Sequence, residues 1–138
     1  MLTIVFGRHG ETDYNLEGRV QGHADIPLNK TGRRQAAQLV ENLKGISFDV
    51  ILTSDLRRAS YGAKLHAQQY DHLLPIQSLK WRERNFGDHA GKNLREINYP
   101  HDGLEWLTHH ALHCECPNGE TKSQFSDRIA GALMEAYR

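Results

Sequence analysis

Residues 8–12 read Arg8-His9-Gly10-Glu11-Thr12, and only Gly7 separates them from the largely apolar residues 2–6. An apolar run of β-forming residues predicts a strand that is buried on both faces of a parallel sheet. Because ligands gather at the carboxyl ends of strands in open α/β sheets, Arg8 and His9 are expected at such an end. A guanidinium presents a planar fork of donors that fits phosphate, and a neutral imidazole nitrogen can attack phosphorus. The stretch therefore predicts a phosphate site with a histidine nucleophile; the alternative is a strand-to-loop turn whose polar residues are solvated.

The composition indicates one domain that spans residues 1–138. The 17 basic and 17 acidic residues balance, so neither a nucleic-acid-binding tail nor an acidic disordered segment is indicated. No apolar run is long enough to cross a bilayer, and the first residues lack the pattern of a signal peptide. We therefore expect a cytoplasmic protein that binds neither nucleic acid nor membrane, and in which local arginines attract any phosphorylated substrate.

The remaining elements follow from apolar periodicity and from start and stop signals. In chain order, the pattern predicts a short helix at 12–16, an amphipathic helix at 33–43, a buried strand at 48–53 followed by a helix capped by Ser54 and Asp55, a third strand at 73–79, helices at 93–99 and 103–113, and a last helix opened by a capping box from Thr121 to Gln124. The order of strands and helices predicts an α/β fold with a mainly parallel sheet.

Further candidates for phosphate binding are Asn15, Gly22 and one of two adjacent arginines, Arg57 or Arg58. Asn15 lies about one turn after Thr12, and its side-chain amide can donate to a phosphoryl oxygen. Gly22 lies in an irregular segment and can bring a bare main-chain amide close to a ligand. Arg57 and Arg58 both fall in the first turn of the helix after the second strand, and their spacing alone does not choose between them.

Glu83 is a candidate general acid because it comes just after the third predicted strand. A carboxyl that is partly screened from water has a raised pKa and can protonate a leaving alkoxide. The alternative is a surface ion pair with Arg82 or Arg84, whose charges would lower the pKa of Glu83.

Residues 92–116 are predicted to form a helical lid, and they contain both cysteines of the chain, Cys114 and Cys116. Cysteines this close in sequence seldom form a relaxed disulfide, so we expect thiols. His109, His110 and His113 lie just upstream, which leaves a metal site as an alternative, although the usual zinc spacings are absent. We predict neither a metal nor a cofactor.

Taken together, the motifs resemble those of the histidine phosphatase superfamily, the phosphoglycerate mutase-like enzymes. The residues that carry the resemblance are, in chain order, Arg8-His9-Gly10-Glu11-Thr12, Gln21-Gly22-His23-Ala24-Asp25-Ile26-Pro27-Leu28, Gly32 with Gln35-Ala36, Thr53-Ser54-Asp55-Leu56-Arg57-Arg58-Ala59, Arg82-Glu83-Arg84-Asn85-Phe86-Gly87 with Gly91, and Pro117-Asn118-Gly119-Glu120-Thr121. These blocks cover nearly the whole chain in the order of the family, which makes the resemblance specific.

The resemblance implies a three-layer α/β/α sandwich and a phosphomonoester phosphatase that acts through a phosphohistidine on a small phosphorylated metabolite. In this reading the catalytic residues are His9 as nucleophile and Glu83 as acid. The substrate-binding residues are Arg8, Asn15, Gln21, Gly22 and Arg58. The segment at residues 21–25 and the short lid look more like the phosphatase branch, which includes fructose-2,6-bisphosphatases and α-ribazole phosphatases, than like phosphoglycerate mutases.

One block of the family pattern, a strand that bears Ser-His-Gly with a second histidine, does not occur in this sequence. In the family fold that strand lies between the strands predicted at residues 2–6 and 48–53. We expect a C-terminally truncated fragment of a longer enzyme; the alternatives are a second chain, as in a homo-oligomer, that supplies the strand, or a sheet in which the two strands pair directly. The alternative functions are a phosphoglycerate mutase-type transferase and an inactive phosphate-binding remnant.

Overall fold

The structure, a computed structural model, describes residues 2–97 and 116–137. It divides into two units, each with its own buried residues. The first unit comprises Met1–Asp13, Asp25–Arg82 and Tyr137. The second unit comprises Tyr14–Ala24, Glu83–Ala136 and Arg138. Every contact described below lies within one of these two units.

A parallel strand pair with a crossover helix forms the centre of the first unit. Strand β1 is Leu52–Ser54, the crossover helix α3 is Arg57–Ala67, and strand β2 is Ile76–Ser78. The two strands pair in parallel, with Leu52 opposite Ile76. The predicted parallel arrangement is confirmed, although both strands are shorter than the predicted 48–53 and 73–79.

The amphipathic helix α2, Lys30–Asn42, packs against α3 through a face that includes Ala36 and Val40. It begins three residues before the predicted 33–43 because Asn29 caps it: the Oδ1 atom of Asn29 accepts a hydrogen bond from the Gly32 amide at 2.9 Å. The first-unit residues of low exposure that form this core are Leu28, Ala36, Val40, Leu56, Ala67 and Leu73.

The predicted side-chain cap of α3 by Ser54 and Asp55 is wrong. The cap position is Leu56, and no side-chain hydrogen bond is made from it. Ser54 Oγ accepts from the Leu56 amide, and both Asp55 carboxylate oxygens accept from the Arg82 guanidinium. The first amide of α3, that of Arg57, instead donates to a distant residue: Asp25 Oδ1 accepts this hydrogen bond at 2.7 Å.

The predicted buried strand at residues 2–6 is also wrong. These residues form no strand, and their apolar side chains are exposed, with 56% of Leu2, 50% of Ile4 and 77% of Phe6 accessible. A strand is defined by a ladder with a neighbour, and residues 2–6 form no ladder with any described segment, whereas β1 pairs with β2. The direct pairing considered for the first two predicted strands therefore does not occur in the structure.

The second unit has a small core made by Val20, Phe86, Ile97 and Cys116, with Leu94 packed against it. Helix α1, Asp13–Glu17, leads into this unit at close to the predicted position. Of the predicted lid, residues 93–97 form turns rather than a helix, since Asn93 makes a backbone bridge with Arg19. Residues 98–115, with the predicted helix at 103–113, lie outside the described residues.

The last helix, α4, spans Lys122–Ala136. It opens with the predicted capping box: Thr121 Oγ1 accepts from the Gln124 amide at 3.1 Å, and Gln124 Oε1 accepts from the Thr121 amide at 2.8 Å. Among the described residues, neither this helix nor any other is long and apolar enough to cross a membrane.

Candidate active site

His9 is held as a neutral imidazole with one known tautomer. Its Nδ1 atom lies 2.7 Å from the carbonyl oxygen of Gly10, and a carbonyl accepts but cannot donate, so Nδ1 carries the proton. The lone pair is then on Nε2, which is the form needed for attack on an electrophile. Burial lowers the pKa of His9, against the Gly10 hydrogen bond, and the charges of Arg58 and Arg8 lower it further. The imidazole therefore stays neutral at pH 7, with its single proton on Nδ1.

Two arginines bring positive charge to His9, and they differ in burial. Arg58, in the first turn of α3, is only 2% exposed, whereas Arg8 is exposed. The neighbouring Arg57 is used elsewhere, because its guanidinium binds the side chain and carbonyl of Asp25. The structure thus separates two arginines that spacing alone does not distinguish: Arg58 lies beside His9, and Arg57 binds Asp25.

A close contact between two segments of the main chain, at Gly10 and at Gly32, fixes the loop after His9. A Cβ atom on Gly10 would lie 2.2 Å from the Gly32 carbonyl oxygen, and one on Gly32 would lie 2.0 Å from the Glu11 carbonyl oxygen. Both distances are far below any real contact, so neither position accepts a side chain without a shift of the backbone. The Glu11 amide also donates to Gln35 Oε1 at 2.7 Å, and Asn29 Nδ2 donates to Glu11 Oε1 at 2.9 Å. The first turn of α2 therefore holds the loop that follows His9.

The second unit contains Asn15, Gln21 and Gly22 of the predicted phosphate-binding set. Gln21 is buried at 7% exposure, and Asn15 is exposed on α1. Gly22 has a φ of +51°, and a Cβ atom there would lie 3.0 Å from the Arg84 carbonyl oxygen. Glycine is required at this position by both its conformation and the close approach of the main chain.

Glu83 also lies in the second unit, but its side chain is exposed and not partly screened as expected. The reason is its position, because a 3₁₀ turn at Leu79–Trp81 and then Arg82 separate it from the end of β2. Its carbonyl oxygen accepts from His23 Nε2 at 2.9 Å and from Arg128 Nη2 at 3.1 Å.

The two arginines that flank Glu83 have partners of their own. Arg82 binds both carboxylate oxygens of Asp55, which lowers the pKa of that carboxyl. Arg84 Nε donates to the Glu120 carbonyl oxygen at 2.9 Å, and its guanidinium lies over the ring of Phe86. Each of the two arginines beside Glu83 is therefore bound to another residue, Arg82 to Asp55 and Arg84 to Glu120.

Sequence reasoning gave no role to four residues that shape these two regions. Asp25 caps α3 and binds Arg57, and His23, Arg128 and Glu120 support the main chain at Glu83. Asp25, His23 and Glu120 lie inside the motifs given above, so their presence is visible in the sequence. The partners of Asp25 and His23, which are 32 and 60 residues away, are not.

The described residues contain no group of three or more histidine, cysteine and acidic side chains placed to hold a metal ion. Cys116 is a buried free thiol in the second core. The other members of the alternative metal site, His109, His110, His113 and Cys114, lie outside the described residues.

Comparison with known proteins identifies the relatives of the chain. It is 39% identical over 137 residues to "Uncharacterized phosphatase PhoE" of Bacillus subtilis, a match that covers 98% of this chain and 64% of that protein. It is 34% identical over 134 residues to "Probable phosphoglycerate mutase GpmB" of Cronobacter sakazakii, covering 96% of this chain and 62% of that protein. The chain thus spans less than two thirds of the length of these relatives.

Solved structures of phosphatases have a fold similar to that of this chain. The mycobacterial glucosyl-3-phosphoglycerate phosphatase in complex with VO3 superposes with a TM-score of 0.78 at 29% identity, covering 92% of this chain and 63% of that one. The α-ribazole phosphatase of Shigella flexneri gives a TM-score of 0.76 at 31% identity, covering 94% and 64%. The chain therefore has the predicted α/β, phosphoglycerate mutase-like fold. The profile of the histidine phosphatase superfamily, branch 1, matches residues 4–138, and the chain belongs to that superfamily.

Proposed function

We propose that this protein is a phosphomonoester phosphatase that acts through a phosphohistidine on a small phosphorylated metabolite. The observation that carries the proposal is the state of His9, a neutral imidazole whose Nδ1 proton is committed to the Gly10 carbonyl and whose Nε2 is the nucleophilic nitrogen. The positive charge of Arg8 and Arg58 beside it suits a phosphoryl group. The same chemistry is supported by the relatives and similar solved structures that are named as phosphatases.

In the first step, the Nε2 lone pair attacks phosphorus, and the bond between phosphorus and the leaving oxygen breaks. The electron pair of that bond goes to the leaving oxygen, which takes a proton from Glu83. The phosphorylated imidazole then carries a positive charge, which the Nδ1–H to carbonyl hydrogen bond stabilises. Arg8, Arg58, Asn15, Gln21 and Gly22 are proposed to hold the phosphoryl oxygens.

In the second step, water attacks the phosphohistidine while Glu83, now a carboxylate, takes a proton from that water. The phosphorus–nitrogen bond breaks, inorganic phosphate leaves, and neutral His9 is restored. No redox change and no further reactant is needed. The charge of the transition state is met by guanidinium groups and main-chain amides.

Two other functions have specific observations in their favour. A mutase would return the phosphoryl group from His9 to a hydroxyl instead of water, and the likeness to GpmB favours it. A phosphate-binding protein without turnover is favoured by the exposed side chain of Glu83, which is not screened from water as a general acid is expected to be. Phosphate release from phosphohistidine in water alone, compared with release in the presence of 3-phosphoglycerate, distinguishes the phosphatase from the mutase.

The test of the proposal is intact-mass detection of an acid-labile phosphate after incubation with phenyl phosphate. We expect a single phosphoryl group on the 138-residue chain that is absent from His9→Ala and present in His72→Ala. His72 is a suitable control because it is exposed and contacts Tyr70 in the same unit. Absence of the label on His9, under conditions that label the Bacillus subtilis relative, would overturn the proposal.

We further propose a cytoplasmic location, which the buried free thiol of Cys116 supports because such thiols persist in reducing compartments. A homo-oligomer or another strand-supplying chain also stays a proposal. The exposed apolar side chains at residues 2–6 support it. Light scattering of the purified chain measures the first of these assemblies directly, and a monomer would exclude it.

A further inference from the structure

Two side chains converge on the main-chain oxygen of Glu83. His23 Nε2 lies 2.9 Å from that oxygen and Arg128 Nη2 lies 3.1 Å from it. A carbonyl oxygen has two lone pairs and accepts only, so both side chains donate, and Nε2 of His23 carries a proton. His23 belongs to the loop that also contains Gly22, and Arg128 belongs to α4. Two distant segments of the second unit thus hold one peptide group.

Arg128 is itself held in place by Glu120. Arg128 Nε donates to Glu120 Oε1 at 2.6 Å and Nη2 donates to Oε2 at 2.7 Å, in a two-pronged pair whose side chains are each only 19% exposed. The guanidinium also lies 5.3 Å from the centre of the Phe125 ring. A planar guanidinium fixed in this way cannot turn freely, so the Nη2 donor that reaches the Glu83 oxygen keeps one direction.

The same carboxylate secures the residues that follow Glu83. Glu120 Oε2 accepts from the Asn85 amide at 2.7 Å, and the Glu120 amide donates to the Asn85 carbonyl at 2.8 Å. Arg84 Nε donates to the Glu120 carbonyl at 2.9 Å. Each of residues 83, 84 and 85 therefore makes at least one hydrogen bond with His23, Glu120 or Arg128. Glu83 combines an exposed carboxyl with a fixed main chain.

We propose that His23 and Arg128 are positioning residues for Glu83, which hold its main chain so that its carboxyl meets the leaving oxygen of the substrate. This inference rests on the proposed function, in which Glu83 is the general acid. A proton donor contributes only when the leaving oxygen is basic enough to need the proton. The loss of a positioning contact should therefore depend on the leaving group, whereas general damage to the site should not.

The experiment compares two substrates that share a phenyl ring. Phenoxide is a strong base and needs protonation as it leaves; 2,4-dinitrophenoxide is a weak base and does not. For His23→Ala we expect phosphorylation of His9 by phenyl phosphate to slow by about tenfold or more, and phosphorylation by 2,4-dinitrophenyl phosphate to change by less than about twofold, since that step needs no acid. His23→Gln places an amide donor near the same point and should restore most of the phenyl phosphate rate. His72→Ala is the matched control.

Each outcome decides the matter. Equal slowing with both substrates assigns His23 to general structure and overturns the inference, as does no slowing with either. A wild-type chain that is not phosphorylated even by 2,4-dinitrophenyl phosphate overturns the proposed function and this inference together. Phosphorylation of the wild-type chain without leaving-group dependence in His23→Ala overturns the inference alone. A thermal unfolding midpoint for each variant identifies any loss that comes from unfolding.

Discussion

The two regions that contain the proposed nucleophile and the proposed acid are held in opposite ways. The loop after His9 is fixed by direct contact of main chains at Gly10 and Gly32, where no side chain fits. The main chain at Glu83 is fixed by polar side chains, His23 and Arg128. The first arrangement depends on the absence of side chains at two glycines. The second depends on the hydrogen-bond donors of two particular side chains. The two regions should therefore respond differently to substitution.

The largest effect is expected where the main chains meet. Gly32→Ala would place a methyl group 2.0 Å from the Glu11 carbonyl oxygen, so the backbone has to move. We expect the free energy of unfolding to fall by about 3 kcal/mol, the upper end of the usual range for overpacking. Because Glu11 is two residues from His9, phosphorylation of His9 should fall as well. Urea unfolding and intact mass measure the two effects.

Gly131→Ala is the matched control for that substitution. Gly131 lies on α4 with no atom within 4 Å of the position of an added Cβ. Alanine should stabilise the helix there by about 0.5–1 kcal/mol. If the two variants unfold at the same urea concentration, the close approach of Gly10 and Gly32 is absent in solution, and the contrast between the two regions is lost.

Glu120→Gln should break the polar support of the second region. The variant loses the charge that binds Arg128, and hydrogen bonds to charged groups contribute about 1.5–3 kcal/mol each, so we expect a loss of about 2 kcal/mol at pH 7. Glu41→Gln is the control, since its ion pair with Lys44 at 2.7 Å is more than half exposed and should be worth less than about 0.5 kcal/mol. Equal losses in urea unfolding would contradict a special role for Glu120.

The same variant has a predictable dependence on pH. The Arg128 hydrogen bonds lower the pKa of Glu120, with smaller contributions that include the Asn85 amide and the charge of His23. A carboxyl with a lowered pKa in the folded chain stabilises fully above its unfolded pKa, and the contribution is lost as the pH falls through the folded value. The difference between wild type and Glu120→Gln should therefore shrink in acid, and a difference that stays constant would contradict the assignment.

Local signals in the sequence predict some parts of the fold that depend on neighbours, although the predicted cap of α3 by Ser54 and Asp55 is wrong. The capping box of Thr121 and Gln124 was predicted because both partners lie within one turn. The parallel pair was predicted because apolar strands alternate with helices. The contacts of Asp25 with Arg57 and of Arg128 with Glu83 join residues 32 and 45 positions apart, and no spacing rule encodes such pairs. Positions of charged side chains can be read from sequence, but their partners cannot.

His66 provides a smaller test in the first unit, because it is a buried polar side chain without the support that Glu83 has. It is 6% exposed, and within the described residues neither ring nitrogen has a hydrogen-bond partner. Its ring contacts Phe48 and Tyr70 edge-on, at 5.1 and 5.3 Å between centres. His66→Phe keeps these contacts and removes the unpaired nitrogens, so stability at pH 7 should rise by about 1 kcal/mol. Urea unfolding measures the gain, and a loss of stability would contradict it.

His66 also makes stability depend on pH, but the cause is burial of the ring and not a hydrogen-bonded ion pair as at Glu120. Burial lowers the pKa of His66, so below the ordinary histidine value of about 6.5 the unfolded chain binds a proton that the folded chain does not. Wild-type stability should therefore fall from that pH downward, and His66→Phe should lose part of that slope. The remaining slope includes His9, whose pKa is also lowered. An unchanged slope between pH 7 and 5 would contradict the assignment to His66.

The smallest effect is expected just before the proposed nucleophile, at Phe6. A buried strand at residues 2–6 would make Phe6→Ser cost about 3–5 kcal/mol, as large-to-small changes of buried Phe do. With 77% of Phe6 accessible, the structure instead predicts a change within about 0.5 kcal/mol in urea unfolding. Phe86→Ser is the control, because Phe86 is 7% exposed in the second core and should show the full cost. A loss at Phe6 as large as that at Phe86 would mean that residues 2–6 are covered in solution. A second copy of the chain would then be the first candidate to cover them, and a loss that shrinks on dilution would identify it, because the stabilisation from association disappears as the protein is diluted.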